Sequence, residues 1–165
     1  MTGLATDRKG PVSAPTVRRA TARVVPVNAR GEALLMLSRD PAHPEVTNWC
    51  SFGGAVEEGE TLAGAGAREL REETGLVVDA ADLGEPSDRA GMTFPYDGRV
   101  LVNDSTWFAV GLEADHSALH TPDAFEQILG YRWWSVEDLE SDATVNNDRL
   151  PAFVRGAVDH VRNRA

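Results

Sequence analysis

The chain has 165 residues, of which 25% are charged, with a formal net charge of −10 and a pI near 4.8. That length suits one domain with a sizeable core, and so acidic a balance argues against non-specific binding to a nucleic-acid polymer, which needs a basic surface. Cys50 is the single cysteine, which excludes an internal disulfide and a cysteine-built zinc cluster. No apolar run approaches the ~18 residues of a membrane helix, and no signal-like apolar core stands near the start. No membrane partner is expected, and the cytoplasm is the expected location.

Residues 1–15 (MTGLATDRKGPVSAP) lack apolar periodicity and read as a mobile tail, leaving 16–165 as the folded domain. Strand-like runs follow at 20–28 and 32–39, joined by the hairpin signal Asn28-Ala29-Arg30-Gly31. Pro26 places an edge or an irregularity in the first of them. Residues 40–48 read as loop, and 49–52 as a short extended run entering Gly53 and Gly54. Leu62, Ala63, Ala67 and Leu70 keep helical spacing, and Gly75 before Leu76 is a helix stop. Gly64 and Gly66 each cost that helix about 1 kcal/mol relative to alanine; close packing on a sheet would explain them. A strand is expected at 76–78, and a long hairpin over 92–96 and 100–112 around Asp97-Gly98. A further strand covers 131–136, with Trp133 and Trp134 facing opposite sides. Ser135 caps a short turn through Leu139. A terminal amphipathic helix over 150–162 carries Leu150, Phe153, Val154, Ala157, Val158 and Val161 on one stripe.

The most informative stretch runs from Gly54 to Leu76, GAVEEGETLAGAGARELREETGL. On its helix Glu69, Glu72 and Glu73 share one face, because positions i, i+3 and i+4 do. A solvated face is the ordinary fate of such glutamates, but two local facts count against it. Like charges at i and i+4 destabilise by roughly 0.2–0.5 kcal/mol, and the last turn, where Glu72 and Glu73 sit, favours cations by about 0.3–1 kcal/mol. Several broken local rules at one place mark a candidate for function, and a divalent cation would resolve the conflict. Hard oxygen ligands without Cys or His suit Mg2+ or Mn2+ over Zn2+. Six acids fall between Glu57 and Glu73, so the negative charge concentrates there.

Five residues separate Gly54 from Glu60, seven separate Glu60 from Arg68, and Arg68-Glu69-Leu70-Arg71-Glu72-Glu73-Thr74-Gly75-Leu76 completes the stretch. That is a full match to the Nudix box, G-x5-E-x7-R-E-U-x-E-E-x-G-U, nine restricted positions over 23 residues. The chain resembles the MutT-like Nudix hydrolases. The resemblance implies an α/β fold, an α/β/α sandwich with a mixed β-sheet between helices, over roughly 18–162. It implies that Glu69, Glu72 and Glu73, with the Gly53 carbonyl, hold one to three Mg2+ (or Mn2+) ions against a diphosphate. Gly54, Glu60 and Arg68 would support loop and helix. Trp49 ahead of the glycine pair and Trp133-Trp134 followed by Ser135-Val136-Glu137 are weaker family-like features. Phe52 departs from the proline many members carry there, changing the pocket mouth and no acidic position. Some members add an acid from a loop ahead of the last strand; here Glu126 is the candidate and Asp123 the next. Glu69 is the first choice of general base and Glu126 its competitor. Phe52, Tyr96 and Trp107 are candidate platforms for a base, since stacking contributes about 1–3 kcal/mol per base.

The expected activity is metal-assisted hydrolysis of the phosphoanhydride in a nucleoside diphosphate linked to a further group. A nucleoside triphosphate or related small nucleotide is the default substrate, and ADP-ribose or another nucleotide sugar the alternative. A non-catalytic nucleotide sensor on the same fold is the other reading, against which the complete glutamate set argues. Isopentenyl diphosphate isomerisation would need a catalytic cysteine, for which Cys50 gives little support. Pairing of two copies through the sheet or its hairpins, as in many relatives, is left open.

Overall fold

The computed structural model describes residues 14–40, 43–96, 98–112, 119 and 127–164, with the backbone alone at 94–96. Its strands are β1 (Thr16–Asn28), β2 (Ala33–Arg39), β3 (Thr47–Cys50), β4 (Phe52–Ala55), β5 (Asp88–Tyr96), β6 (Arg99–Leu112) and β7 (Ile128–Trp134). The helices are α1 (Leu62–Thr74), α2 (Ala80–Leu83), α3 (Val136–Ser141) and α4 (Leu150–Arg164). The strands form one sheet in the order β3-β2-β1-β6-β5, with β4 also on β1 and β7 also on β2. β1 and β6 run parallel along their whole length and the other pairs are antiparallel, so the sheet is mixed.

Strand alternation sorts the apolar residues onto two faces. Val25, Val27, Ala33, Leu35, Trp107, Ala109 and Trp134 pack with Leu150, Phe153, Val154 and Ala157 of α4. Ala22, Val24, Leu34, Met36, Phe108 and Val110 pack with Ala65 and Leu70 of α1 and with Leu83 of α2. The adjacent tryptophans divide as the pleat requires: Trp134 joins the first core, and Trp133 packs against the second. Gly66 lies where α1 meets the sheet, and a Cβ there would stand 2.9 Å from Val24 Cγ2 and 3.2 Å from Leu83 Cδ1. Close packing of α1 on β1 therefore accounts for that glycine. Gly64 has a different setting, beside the Thr61 hydroxyl that caps the helix by accepting from the Gly64 N–H at 3.0 Å.

Several local expectations change: the strand expected over 131–136 runs Ile128–Trp134, and Val136 opens α3. β1 begins at Thr16 because parallel pairing with β6 starts at Thr16↔Val100, a non-local contact that strand periodicity does not reveal. Residues 76–78 form no strand: the Leu76 N–H turns back to Thr74 Oγ1 at 3.0 Å after Gly75 enters the left-handed region at φ 76°. The chain then makes the four-residue α2, too short to show a helical period. Pro26 sits inside β1, in the interval between the β4 pairing that ends at Val24↔Phe52 and the β2 pairing at Val27↔Ala33. There one neighbour of the strand changes, and a missing N–H costs the ladder least.

Candidate active site

β4 and α1 build the site together. Gly53 holds φ at 131°, and a Cβ on it would lie 3.0 Å from the Ala22 carbonyl carbon of β1, so no larger residue fits this crossing. Its N–H donates to Glu73 Oε2 at 2.9 Å, and its carbonyl accepts from Arg23 Nη1 at 3.0 Å. The Tyr131 hydroxyl of β7 donates to the Glu73 carbonyl. Gly54 faces Glu69, where an added Cβ would stand 2.7 Å from the carboxyl carbon. The glycine pair thus lets β4 lie directly over two acids of α1.

Arg68 ties loop to helix. Its Nε and Nη2 bond the two oxygens of Glu60 at 2.9 and 3.0 Å, and Nη2 also donates to the Ala55 carbonyl at 3.1 Å. Nη1 reaches Glu69 Oε1 at 2.9 Å and Glu72 Oε2 at 3.3 Å. This bidentate grip on Glu60 is the geometry a guanidinium favours. It holds the Glu60 carboxyl below its ordinary range, helped by the Glu57 N–H, and raises the pKa of Arg68 further.

Glu73 behaves differently. It is 7% exposed, and loss of hydration raises its carboxyl to about 7, with the charges of Glu69 and Glu72 adding to the rise. The Gly53 N–H and Arg23 oppose that shift. A buried acid beside two others is under-neutralised, which is the chemical setting a divalent cation fits, and the donor set consists of carboxylate and carbonyl oxygens. Among the described residues no three acids already converge on a metal position. Arg68 takes up Glu69 and Glu72 instead, so an ion would compete with it for both.

Behind β4, on the α4 face of the sheet, lies a cavity of about 210 Å3 lined by Arg19, Arg23, Asn103, Ser105, Trp107 and Phe153, among others. Arg23 belongs both to this cavity and to the acid site, through its bond to the Gly53 carbonyl. Two larger hollows, of about 570 and 620 Å3, lie by the end of β6 and between α3 and α4. They border none of the box glutamates, so size does not mark the site here.

The residues singled out in the sequence fall into three groups. Gly53, Gly54, Glu60, Arg68, Glu69, Glu72 and Glu73 come together as described. Phe52 is fully buried, tilted against Tyr131 with ring centroids 6.1 Å apart; it has no surface to offer a ligand, because β4 turns it into the α1-side core. Trp107 borders the cavity but is 6% exposed and stacked on Phe153 at 4.4 Å, which makes it wall more than platform. Glu126, Asp123 and the Tyr96 side chain lie outside the described residues. Sequence reasoning missed Arg19, Arg23 and Asn103. A signal was present: Arg19, Thr21 and Arg23 alternate in phase with Val25 and Val27, so polar side chains stand on a strand face that becomes core.

A mixed sheet between helices, with a glycine strand laid over an acid-bearing helix, is the frame of a phosphoanhydride hydrolase. The NUDIX domain model matches residues 17–154, so the chain belongs to that family and is a pyrophosphohydrolase. Members of the family generally require a divalent metal. An RNA pyrophosphohydrolase of Roseobacter denitrificans is 29% identical over 124 residues, 70% of this chain and 76% of that protein. The fold resembles that of the MutT protein from Methanosarcina mazei (TM-score 0.64, 20% identity, 92% of this chain and 98% of that one). It also resembles the E. coli dihydroneopterin triphosphate pyrophosphohydrolase (TM-score 0.64, 21% identity, 87% and 99%). A third likeness is to a C. elegans Ap4A hydrolase (TM-score 0.60, 17% identity, 88% and 98%). No helix among the described residues is long and apolar enough to cross a membrane.

Proposed function

We propose that this pyrophosphohydrolase cleaves the phosphoanhydride of a small nucleotide, a nucleoside triphosphate before a nucleotide sugar, with Mg2+ or Mn2+ as its ion. The observation that carries the reading is Glu73, a buried carboxyl raised to about 7 and flanked by Glu69 and Glu72. Glu69, Glu72, Glu73 and the Gly53 carbonyl would hold the ion, which when bound neutralises phosphate oxygens and acidifies a water. The Gly53 N–H keeps Glu73 aimed at the loop. Arg68 fixes the spacing of loop and helix through Glu60 and Ala55. In this reading Glu69 takes the proton as water attacks phosphorus and the anhydride oxygen leaves, which its 15% exposed side chain next to Gly54 supports. Glu126 is the second candidate for that proton.

The proteins named above include an RNA pyrophosphohydrolase, an Ap4A hydrolase and a dihydroneopterin triphosphate pyrophosphohydrolase, which supports a nucleotide with an anhydride chain. Burial raises the Cys50 thiol to about 11, so it is protonated at neutral pH and a poor nucleophile, which speaks against cysteine-dependent isomerisation. A free thiol without a disulfide partner suits a cytoplasmic enzyme. The test is hydrolysis, followed through its nucleotide, sugar-phosphate and pyrophosphate products, across nucleoside triphosphates, ADP-ribose, nucleotide sugars and dinucleoside polyphosphates, with and without Mg2+ or Mn2+. Metal-dependent cleavage of a triphosphate is expected, and metal-independent or absent cleavage of every compound would contradict the proposal.

A further inference from the structure

The cavity behind β4 has an unusual inventory for a chain of net charge −10. Two arginines, Arg19 and Arg23, line it, and among the described residues it has no carboxylate. Asn103, 4% exposed, is bonded through Oδ1 to Arg19 Nε at 2.7 Å. A guanidinium only donates, so the atom facing it must be the amide oxygen, and the Asn103 NH2 is left for the cavity. Asn147 on the rim repeats the arrangement: its Oδ1 accepts the Arg149 N–H at 3.0 Å, which leaves its NH2 as well. The hydroxyl of Ser105 pairs with that of Thr21 at 2.8 Å. Ala90, Met92, Leu150 and Phe153 supply flat apolar wall beside these groups, which suits a ring more than a bare phosphate.

Both side-chain amides thus have their acceptor atoms engaged inside the protein, and both guanidiniums have none. Among the side chains of the lining are N–H donors and the hydroxyls of Ser51 and Ser105, which can also accept. Resting on the nucleoside triphosphate reading above, we infer that this cavity is the nucleobase subsite and that it selects bases presenting a ring carbonyl over those presenting an exocyclic amino group. Asn103 is the specificity-determining residue: its NH2 donates to a carbonyl oxygen and leaves an amino group without a partner. The ring N–H that accompanies the carbonyl is served by a serine hydroxyl, which both donates and accepts. Arg23 joins this subsite to the acid site through the Gly53 carbonyl, so the base and the anhydride are read from opposite ends of one short bridge.

Two matched pairs test this directly, because inosine and adenosine triphosphates differ in that one substituent, as do uridine and cytidine triphosphates. The ratio of kcat/KM is expected to favour the carbonyl member of each pair by about tenfold or more, the scale of a buried donor or amino group left unpaired. Asn103→Asp keeps the size and the bond to Arg19 while replacing the donor with an acceptor. It is expected to bring both ratios to one or below, the larger loss falling on inosine and uridine triphosphates. Ratios near one in the wild type would overturn the inference and leave the hydrolase reading standing. So would an equal loss on all four substrates in Asn103→Asp with the thermal midpoint unchanged. Metal-dependent hydrolysis of none of the four would overturn both.

Discussion

The two sides of the β1–β4 seam are built on opposite principles. On the α1 side three glutamates, Glu60, Glu69 and Glu72, crowd around Arg68, and a fourth, the buried Glu73, is short of positive charge. On the α4 side two arginines and two amides line a cavity with no described carboxylate. Arg23 and Gly53 form a short link between them. The acid side is costly to fold without a cation, whereas the donor side has much of its hydrogen bonding already arranged. A phosphoanhydride enzyme needs both: a place where negative charge is concentrated to attract an ion, and a neighbouring place where it is not.

The contrast can be broken at several points. Removing divalent ions with a chelator strikes the acid side alone and should reduce turnover by roughly a thousandfold or more, restored by Mg2+ or Mn2+. Activity surviving exhaustive chelation would show that the glutamates serve another purpose. Next in size, Arg68→Lys should lower kcat about a hundredfold, because an ammonium cannot bond both oxygens of Glu60 while reaching Ala55 and Glu69. Full activity in that variant would mean the loop and helix hold their spacing without the fork.

Smaller effects sharpen the picture. Gly54→Ala drives a methyl into the Glu69 carboxylate; a tenfold loss of kcat with a nearly unchanged melting temperature is expected, since a side chain yields more easily than backbone. Steady-state kinetics beside thermal melts would tell, and a large stability loss with intact turnover would contradict it. Gly66→Ala, by contrast, gains helix propensity but presses on Val24 and Leu83, so stability should fall by about 1 kcal/mol while turnover stays put. Denaturant titration separates the two cases.

Much of the acid site was legible because its chemistry is local: glycines, acids and arginine stand at fixed intervals within one strand-loop-helix unit. The donor side was not, since Arg19 and Asn103 are 84 residues apart and meet only through the parallel β1–β6 register. The alternation of Arg19, Thr21 and Arg23 with Val25 and Val27 pointed to a polar strip on a core face, but no periodicity says what lies opposite. The expected aromatic platforms fared differently for a related reason. Phe52 lies in a strand too short to reveal its phase, and its neighbours turn it into the α1-side core. The short α2 and the non-strand at 76–78 were set by Thr74, Gly75 and the packing of Leu83, which carry no repeating pattern.

The claim that Glu73 is held against its own stability for the sake of an ion has one direct test, Glu73→Gln measured for turnover and for metal-free thermal stability at two pH values. The folded carboxyl sits at about 7 against an ordinary 4.5, so the folded state binds the proton more tightly than the unfolded one. Its contribution to stability is present below pH ~4.5 and is lost as pH rises through ~7, by up to about 3 kcal/mol. The variant, which keeps an acceptor for the Gly53 N–H, should therefore lose turnover by orders of magnitude, melt several degrees higher than wild type at pH 8 without metal, and match it at pH 5. Near-wild-type turnover, or a variant that melts lower at pH 8 than the metal-free wild type, would contradict the account.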